Sequence, residues 1–75
     1  MYIVSITTEK REKEIPGVQE VLTEYGENIV SRLGVHNCTK DREGLIIVVY
    51  DADNVEAFVE DLENISDINV NYMEA

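Results

Sequence analysis

A histidine and a cysteine stand two residues apart near the middle of the chain, at His36 and Cys38. In an extended segment, side chains two positions apart point to the same side, so the imidazole and the thiol could bind one soft or borderline metal ion. The sequence holds no other histidine or cysteine. Acidic side chains or a second copy of the chain would have to complete the ligand set. The alternative is a histidine at the end of a loop beside a half-buried cysteine, and both interpretations stay open.

Arg32 is the other candidate binding residue, because it is the only base among residues whose alternation predicts a strand. We expect it on the open face of a sheet, beside Ser5, Thr7 and Tyr50. There its guanidinium could hold a small anion, or pair with Glu27 or with an acid of a partner.

The residues expected of an enzyme are missing from the sequence. The single histidine has no well-placed serine and acid to form a nucleophilic triad. All four glycines are isolated, so no glycine-rich phosphate loop is present. We therefore expect a non-enzymatic protein with no catalytic residue and no cofactor.

The composition narrows the class of protein further. The 75 residues suffice for a single domain, which we take to span 1–75, with a thin two-layer core. Sixteen acids against six bases give a net charge of −10, which argues against direct nucleic-acid binding and against docking on an anionic membrane. The lone cysteine and the lack of a long apolar stretch or a leader-like start predict a cytoplasmic protein.

Hydrophobic periodicity predicts six elements along the chain. Period-two alternation predicts strands at both ends and in the middle, and stripes at i, i+3, i+4 and i+7 predict two helices. Pro16 suits the first turn of the first helix, which could begin a few residues earlier because the charged run at 12–14 favours helix. Asp53 with Glu56 has the spacing of a capping box for the second helix. The predicted elements are strand 2–8, a helix reaching Tyr25, strands 29–36 and 45–50, a helix over 55–65, and strand 68–73.

This β-α-β-β-α-β order predicts an α+β, ferredoxin-like sandwich with antiparallel strand order 4-1-3-2 and both helices on one face. The other face stays uncovered, and strand 45–50 is apolar on both sides. Small monomers rarely leave such a patch exposed, so we expect a homo-oligomer, a dimer or tetramer. The alternative is a monomer that tolerates the open face. The expected interface residues are Ile3, Val30, Arg32, Ile46, Val48 and Tyr50.

The segment 18–34, together with the charged run at 9–12, resembles the small proteins known as iron-only hydrogenase system regulators. The resemblance extends through the apolar strand at 45–50 and the helix at 55–63 to the closing strand, and so covers nearly the whole chain. The matching positions of the segment are Tyr25, Glu27, Ile29, Arg32 and Gly34.

Those proteins are similar to ACT domains and to the C-terminal regulatory domains of nickel repressors. The resemblance implies an ACT-like regulatory domain, and a role as a transcriptional regulator. It also implies a ligand site near Gly17, Gly26 and Asn28, to which Arg32 would add a positive charge for an anion.

We therefore expect a regulatory or sensor domain that homo-oligomerises and acts through a small-molecule effector or a protein partner. It would not contact nucleic acid or membrane directly. The alternative function is a structural interaction module, in which the acidic second helix docks a basic partner.

Overall fold

The computed structural model describes residues 1–8, 11–36 and 44–75, and for residues 11–15 and His36 it describes the backbone only. The order of elements is the predicted one, with one short 3₁₀ turn added before the second strand. The elements are β1 (Tyr2–Thr8), α1 (Arg11–Glu24), the 3₁₀ turn Gly26–Asn28, β2 (Ile29–His36), β3 (Gly44–Tyr50), α2 (Glu56–Glu63) and β4 (Ile68–Glu74).

Both helices bury the apolar stripes that predicted them, but their starts differ from the prediction. Helix α1 begins at Arg11, so Pro16 lies inside the helix instead of in its first turn. Helix α2 begins at Glu56 with Val55 in the capping position and no side-chain cap, so the capping box of Asp53 does not form. In the described part of the chain, neither helix is long and apolar enough to cross a membrane.

The four strands form one sheet in the order β2-β3-β1-β4, and every neighbouring pair is antiparallel. This confirms the ferredoxin-like sandwich and its 4-1-3-2 strand order. The two helices cover one face of the sheet, and the core lies between the layers. Its buried members are Val4, Ile6, Val18, Leu22, Ile46, Val48, Tyr50, Val55, Phe58, Val59 and Leu62.

The face of β3 that points outward is the opposite of the predicted one. Ile46, Val48 and Tyr50 are 7%, 0% and 4% exposed, because they pack under the helices beside buried residues of β1. They therefore cannot belong to an interface on the open face. Leu45, Ile47 and Val49 point outward in their place.

An irregularity at the start of β2 changes which residues of that strand face the helices. Ile29 pairs with Tyr50, but the next pair is Ser31 with Val49, so Val30 is the extra residue of a β-bulge. Beyond the bulge, Arg32 pairs with Val48 and lies on the helix side. The expectation that Arg32 stands on the open face, beside Ser5 and Thr7, is therefore wrong.

Candidate functional site

A shallow groove between α1 and β2 brings together two of the four residues expected to bind a ligand. Its volume is about 210 Å³, and it is lined by Leu22, Thr23, Gly26, Ile29 and Arg32. The 3₁₀ turn after α1 carries Gly26 to one end of the groove, and the bulge in β2 turns Arg32 into it. A Cβ placed on Gly26 would have no neighbouring atom within 4 Å, so this end of the groove is open.

Arg32 is exposed and is held by a neutral partner. Its Nη1 donates a hydrogen bond to Gln19 Oε1 of α1 at 2.9 Å. Among the described residues no acid pairs with it, and the expected ion pair with Glu27 does not form. A guanidinium has five N–H donors, so the remaining ones are left for an anion in the groove.

The other two residues expected in a ligand site have structural contacts elsewhere. Gly17 lies where α1 meets the end of α2, and a Cβ placed on it would stand 3.5 Å from Cδ1 of Ile65. Asn28 holds the 3₁₀ turn against the end of β3: its Nδ2 donates to the backbone oxygen of Asp51 at 3.0 Å, and Asp51 N–H donates to the oxygen of Asn28 at 2.8 Å. The structure therefore joins Gly26 with Arg32 and separates Gly17 and Asn28 from them.

The larger candidate surface is the uncovered side of the sheet, which we call the open face. Among the residues that the structure describes, no charged one lies on it, although 29% of the chain is charged. Leu33 and Met73 are each 60% exposed and Ile3 is 38% exposed. The strand registers define its members as Ile3, Ser5, Thr7, Ser31, Leu33, Val35, Leu45, Ile47, Val49, Asn69, Asn71 and Met73.

A hydrogen bond between the two helical segments was not foreseen from the sequence. The Tyr25 hydroxyl, just after α1, donates to Oδ2 of Asp61 on α2 at 2.6 Å. This bond, with burial and the nearby negative charge, raises the pKa of Tyr25 to about 12. The ring of Tyr25 packs against Phe58, and Phe58 stacks on Tyr50 with ring centres 4.5 Å apart.

No signal in the sequence pairs Tyr25 with Asp61. The two residues are 36 positions apart, and Asp61 has the spacing of the solvated face of its helix. The bond ties the residue that follows α1 to the middle of α2.

The predicted metal pair is His36 and Cys38. His36 ends β2, but its side chain is not described, and Cys38 lies outside the described residues. Within the described part of the chain, no group of three or more histidine, cysteine or acidic side chains is placed to hold a metal ion. Metal binding at His36 and Cys38 stays a prediction.

Both the sequence and the fold of this chain match one family of known proteins. The model of the TM1266-like family, described as "Iron-only hydrogenase system regulator, putative", matches residues 1–72. The solved structure of the uncharacterized protein TM1266 from Thermotoga maritima is 31% identical, with a TM-score of 0.85. The match covers 96% of this chain and 91% of that one. No curated protein matches the sequence.

A second solved structure shares only the fold. A formyltetrahydrofolate deformylase from Pseudomonas putida KT2440 matches with a TM-score of 0.62 at 10% identity. The match covers 99% of this chain but 28% of the deformylase chain. The ferredoxin-like sandwich is therefore also found as one part of a larger protein.

Proposed function

The chain belongs to the TM1266-like family of iron-only hydrogenase system regulators, and on this premise we propose that it is a non-enzymatic regulatory domain that assembles with copies of itself. The family description supports the link to a hydrogenase system. The net charge of −10 supports action through a protein or a small effector instead of direct contact with DNA. The observation that carries the assembly is the uncharged open face.

The open face suits a second copy of the same chain, because stacking two chains through this face keeps their acidic helices apart. Two sheets stacked face to face lie about 10 Å apart, and each chain's helices then lie on the outside. The acids on those helices stay in solvent, while residues such as Leu33 and Ile47 lose contact with water. Charged residues are depleted at the core of known interfaces, as they are here.

The area is sufficient for a modest interface. Four strands about 4.8 Å apart and about seven residues long cover roughly 400 Å² in projection. Because side chains project from the sheet, the accessible area exceeds the projected area and approaches ~600 Å² per subunit, the area buried in the smallest specific interfaces. We therefore propose a dimer of moderate affinity, on which a tetramer could be built through other surfaces.

Sedimentation velocity over a range of concentrations tests the assembly. We expect a species of at least twice the 8.5 kDa chain mass, whose fraction increases with concentration. It should persist at about 0.5 M salt, because an uncharged interface loses no attraction to screening and the net repulsion between acidic chains weakens. A single 8.5 kDa species at every concentration and salt level would overturn the proposed assembly.

The groove between α1 and β2 is the proposed effector site. The remaining N–H donors of Arg32 and the apolar wall of the groove suit a small carboxylate such as an amino acid. In a thermal-shift screen of amino acids, a true ligand at about ten times its Kd should stabilise the protein by about 1.4 kcal/mol, or several degrees in Tm. Arg32→Gln should abolish the shift, while Gln19→Ala, which leaves the charge in place, should retain most of it.

Adding zinc and nickel to the same screen tests the hypothesis of metal binding at His36 and Cys38, with Cys38→Ser as the control variant.

In the amino-acid screen, an increase in melting temperature that is the same in Arg32→Gln would place the ligand somewhere other than the groove between α1 and β2.

A further inference from the structure

A second groove, larger than the first, runs between α2 and β4. Strand β4 is at the edge of the sheet and pairs only with β1 among the described strands. The volume of the groove is about 440 Å³, and its lining residues are Glu56, Val59, Glu60, Glu63, Val70 and Tyr72. None of these residues lies on the open face, so the two surfaces are distinct.

The groove combines an acidic rim with an apolar floor. Glu56, Glu60 and Glu63 follow one another at i, i+4 and i+7, which places three carboxylates in a row about 10 Å long on one side of α2. Among the described residues none of them is paired with a base. Nor do they converge into a cluster that could hold a metal ion.

The floor of the groove is apolar, and most of its exposed contact area comes from Tyr72. Val59 is 6% exposed and Val70 is half-buried, so they form its base. Tyr72 is 51% exposed, and its ring stands edge-on to Tyr2 with centres 6.4 Å apart. An exposed tyrosine held in place by a neighbour is typical of residues that dominate binding energy at interfaces.

We propose that this groove binds a basic amphipathic helix of a partner protein. The partner's apolar side chains would pack on Val70 and Tyr72, and its lysines or arginines at i, i+4 and i+7 would face the glutamate row. A basic partner suits the groove better than a second copy of this chain, because two chains that each carry a net charge of −10 repel one another at an acidic surface. The inference rests on the proposed function, in that it names the partner through which the regulator acts.

Fluorescence anisotropy with a designed peptide tests the proposal. The probe is a labelled peptide of ~14 residues, with leucines at helical spacing and lysines elsewhere, and the control is a scrambled peptide of the same composition. We expect the amphipathic peptide to bind about tenfold more tightly than the scrambled one. The double variant Glu60→Lys, Glu63→Lys should weaken its binding about tenfold or more.

The matched control is Glu20→Lys, Glu24→Lys on α1, which changes the net charge by the same amount away from the groove. It should change the affinity no more than about threefold, since only long-range attraction is altered. Tyr72→Ala should also weaken binding, which provides a variant that leaves the charge unchanged. Circular dichroism and thermal melting establish that each variant is folded.

Two results would overturn the proposal that this groove binds a basic amphipathic helix. One is equal binding of the scrambled peptide, and the other is equal loss of affinity in both charge-reversal variants, because either would show attraction to net charge alone. The open-face variant Leu33→Glu separates this proposal from self-association and should bind the peptide as the unmodified chain does. If the chain self-associates but does not bind the peptide, the proposed docking groove is refuted and the proposed assembly stands. If the chain binds the peptide but does not self-associate, only the proposed assembly is refuted.

Discussion

Replacing Leu33 with glutamate is expected to abolish the proposed self-association through the open face. Leu33 is 60% exposed and sits opposite Ile47 on the open face, so a glutamate there is solvated in the monomer at little cost to its folding. In a stacked dimer, the same carboxylate would be buried against apolar side chains, and none of the described residues of the face is a base that could pair with it. An unpaired buried charge costs several kcal/mol, which exceeds what a modest interface can offset.

The control for this variant is Ala57→Glu, which adds the same charge at an exposed position of α2. It should sediment as the unmodified chain does. Ile3→Glu, on β1, gives a second test on the same face in case the β2 variant alters its edge strand. Leu33→Glu and Ile3→Glu proteins that melt normally and still assemble would show that the chains associate through a different surface.

Tyr25→Phe is expected to lower the free energy of unfolding by about 1 kcal/mol near neutral pH. The substitution removes the hydroxyl that donates to Asp61 at 2.6 Å and leaves the ring contact with Phe58 in place. The partly buried carboxylate of Asp61 then loses the hydroxyl that donates to it from the residue after α1. Melting temperature should fall by about 5 °C for a domain of this size.

The same hydrogen bond makes the stability depend on alkaline pH. The pKa of Tyr25 is raised from 10.0 to about 12 by the hydrogen bond to Asp61, by burial and by the nearby charges of Asp61 and Glu24. Between these values the unfolded chain has lost the proton that the folded chain keeps, so stability falls as pH increases. The contribution is complete below pH 10 and is lost as the pH passes through about 12.

The size of this effect is smaller than the shift alone suggests. Two pKa units correspond to about 2.7 kcal/mol, and solvent around this partly exposed pair reduces the figure to about 1 kcal/mol. Burial also raises the pKa of Tyr50. This contribution is the same in the unmodified protein and in Tyr25→Phe, so it cancels in the difference between their free energies of unfolding.

Urea unfolding at about pH 8, 10 and 11 measures the difference between the unmodified protein and Tyr25→Phe. The difference should be largest at the lowest pH and decrease as pH increases. Tyr72→Phe, which alters an exposed tyrosine outside the Tyr25–Asp61 pair, should unfold as the unmodified protein does. A Tyr25→Phe difference that stays constant with pH would show that the bond to Asp61 does not govern the titration.

The fold could be predicted from the sequence because each element carries a periodicity of its own. The stripes of Val18 with Leu22, and of Phe58 with Leu62, identify a buried helix face with no knowledge of the partner layer. The alternating strands then leave few topologies, since crossovers are short and right-handed. The boundaries were less accurate: Pro16 and Asp53 both suggested a start that the helices do not use.

The candidate site could be predicted only in part. Arg32, predicted from its place among strand residues, and Gly26, predicted through the resemblance, do meet in one groove, although Arg32 reaches it from the side opposite to the expected one. Gly17 and Asn28 were expected to join them through the resemblance, but both are used in packing and in a turn. Hydrogen bonds between distant residues, such as Tyr25 with Asp61, leave no periodic signal that could have predicted them.

By itself, the sequence determined the acidity of this protein, the order of its elements, its fold and its family resemblance. These depend on composition and on patterns within short segments. The tertiary structure decided which face of β3 is buried, because Leu45 to Tyr50 are apolar on both sides and alternation alone cannot choose between them. It also decided the direction of Arg32, because the single bulged residue Val30 changes the register of β2 against β3 and turns the following side chains to the opposite faces.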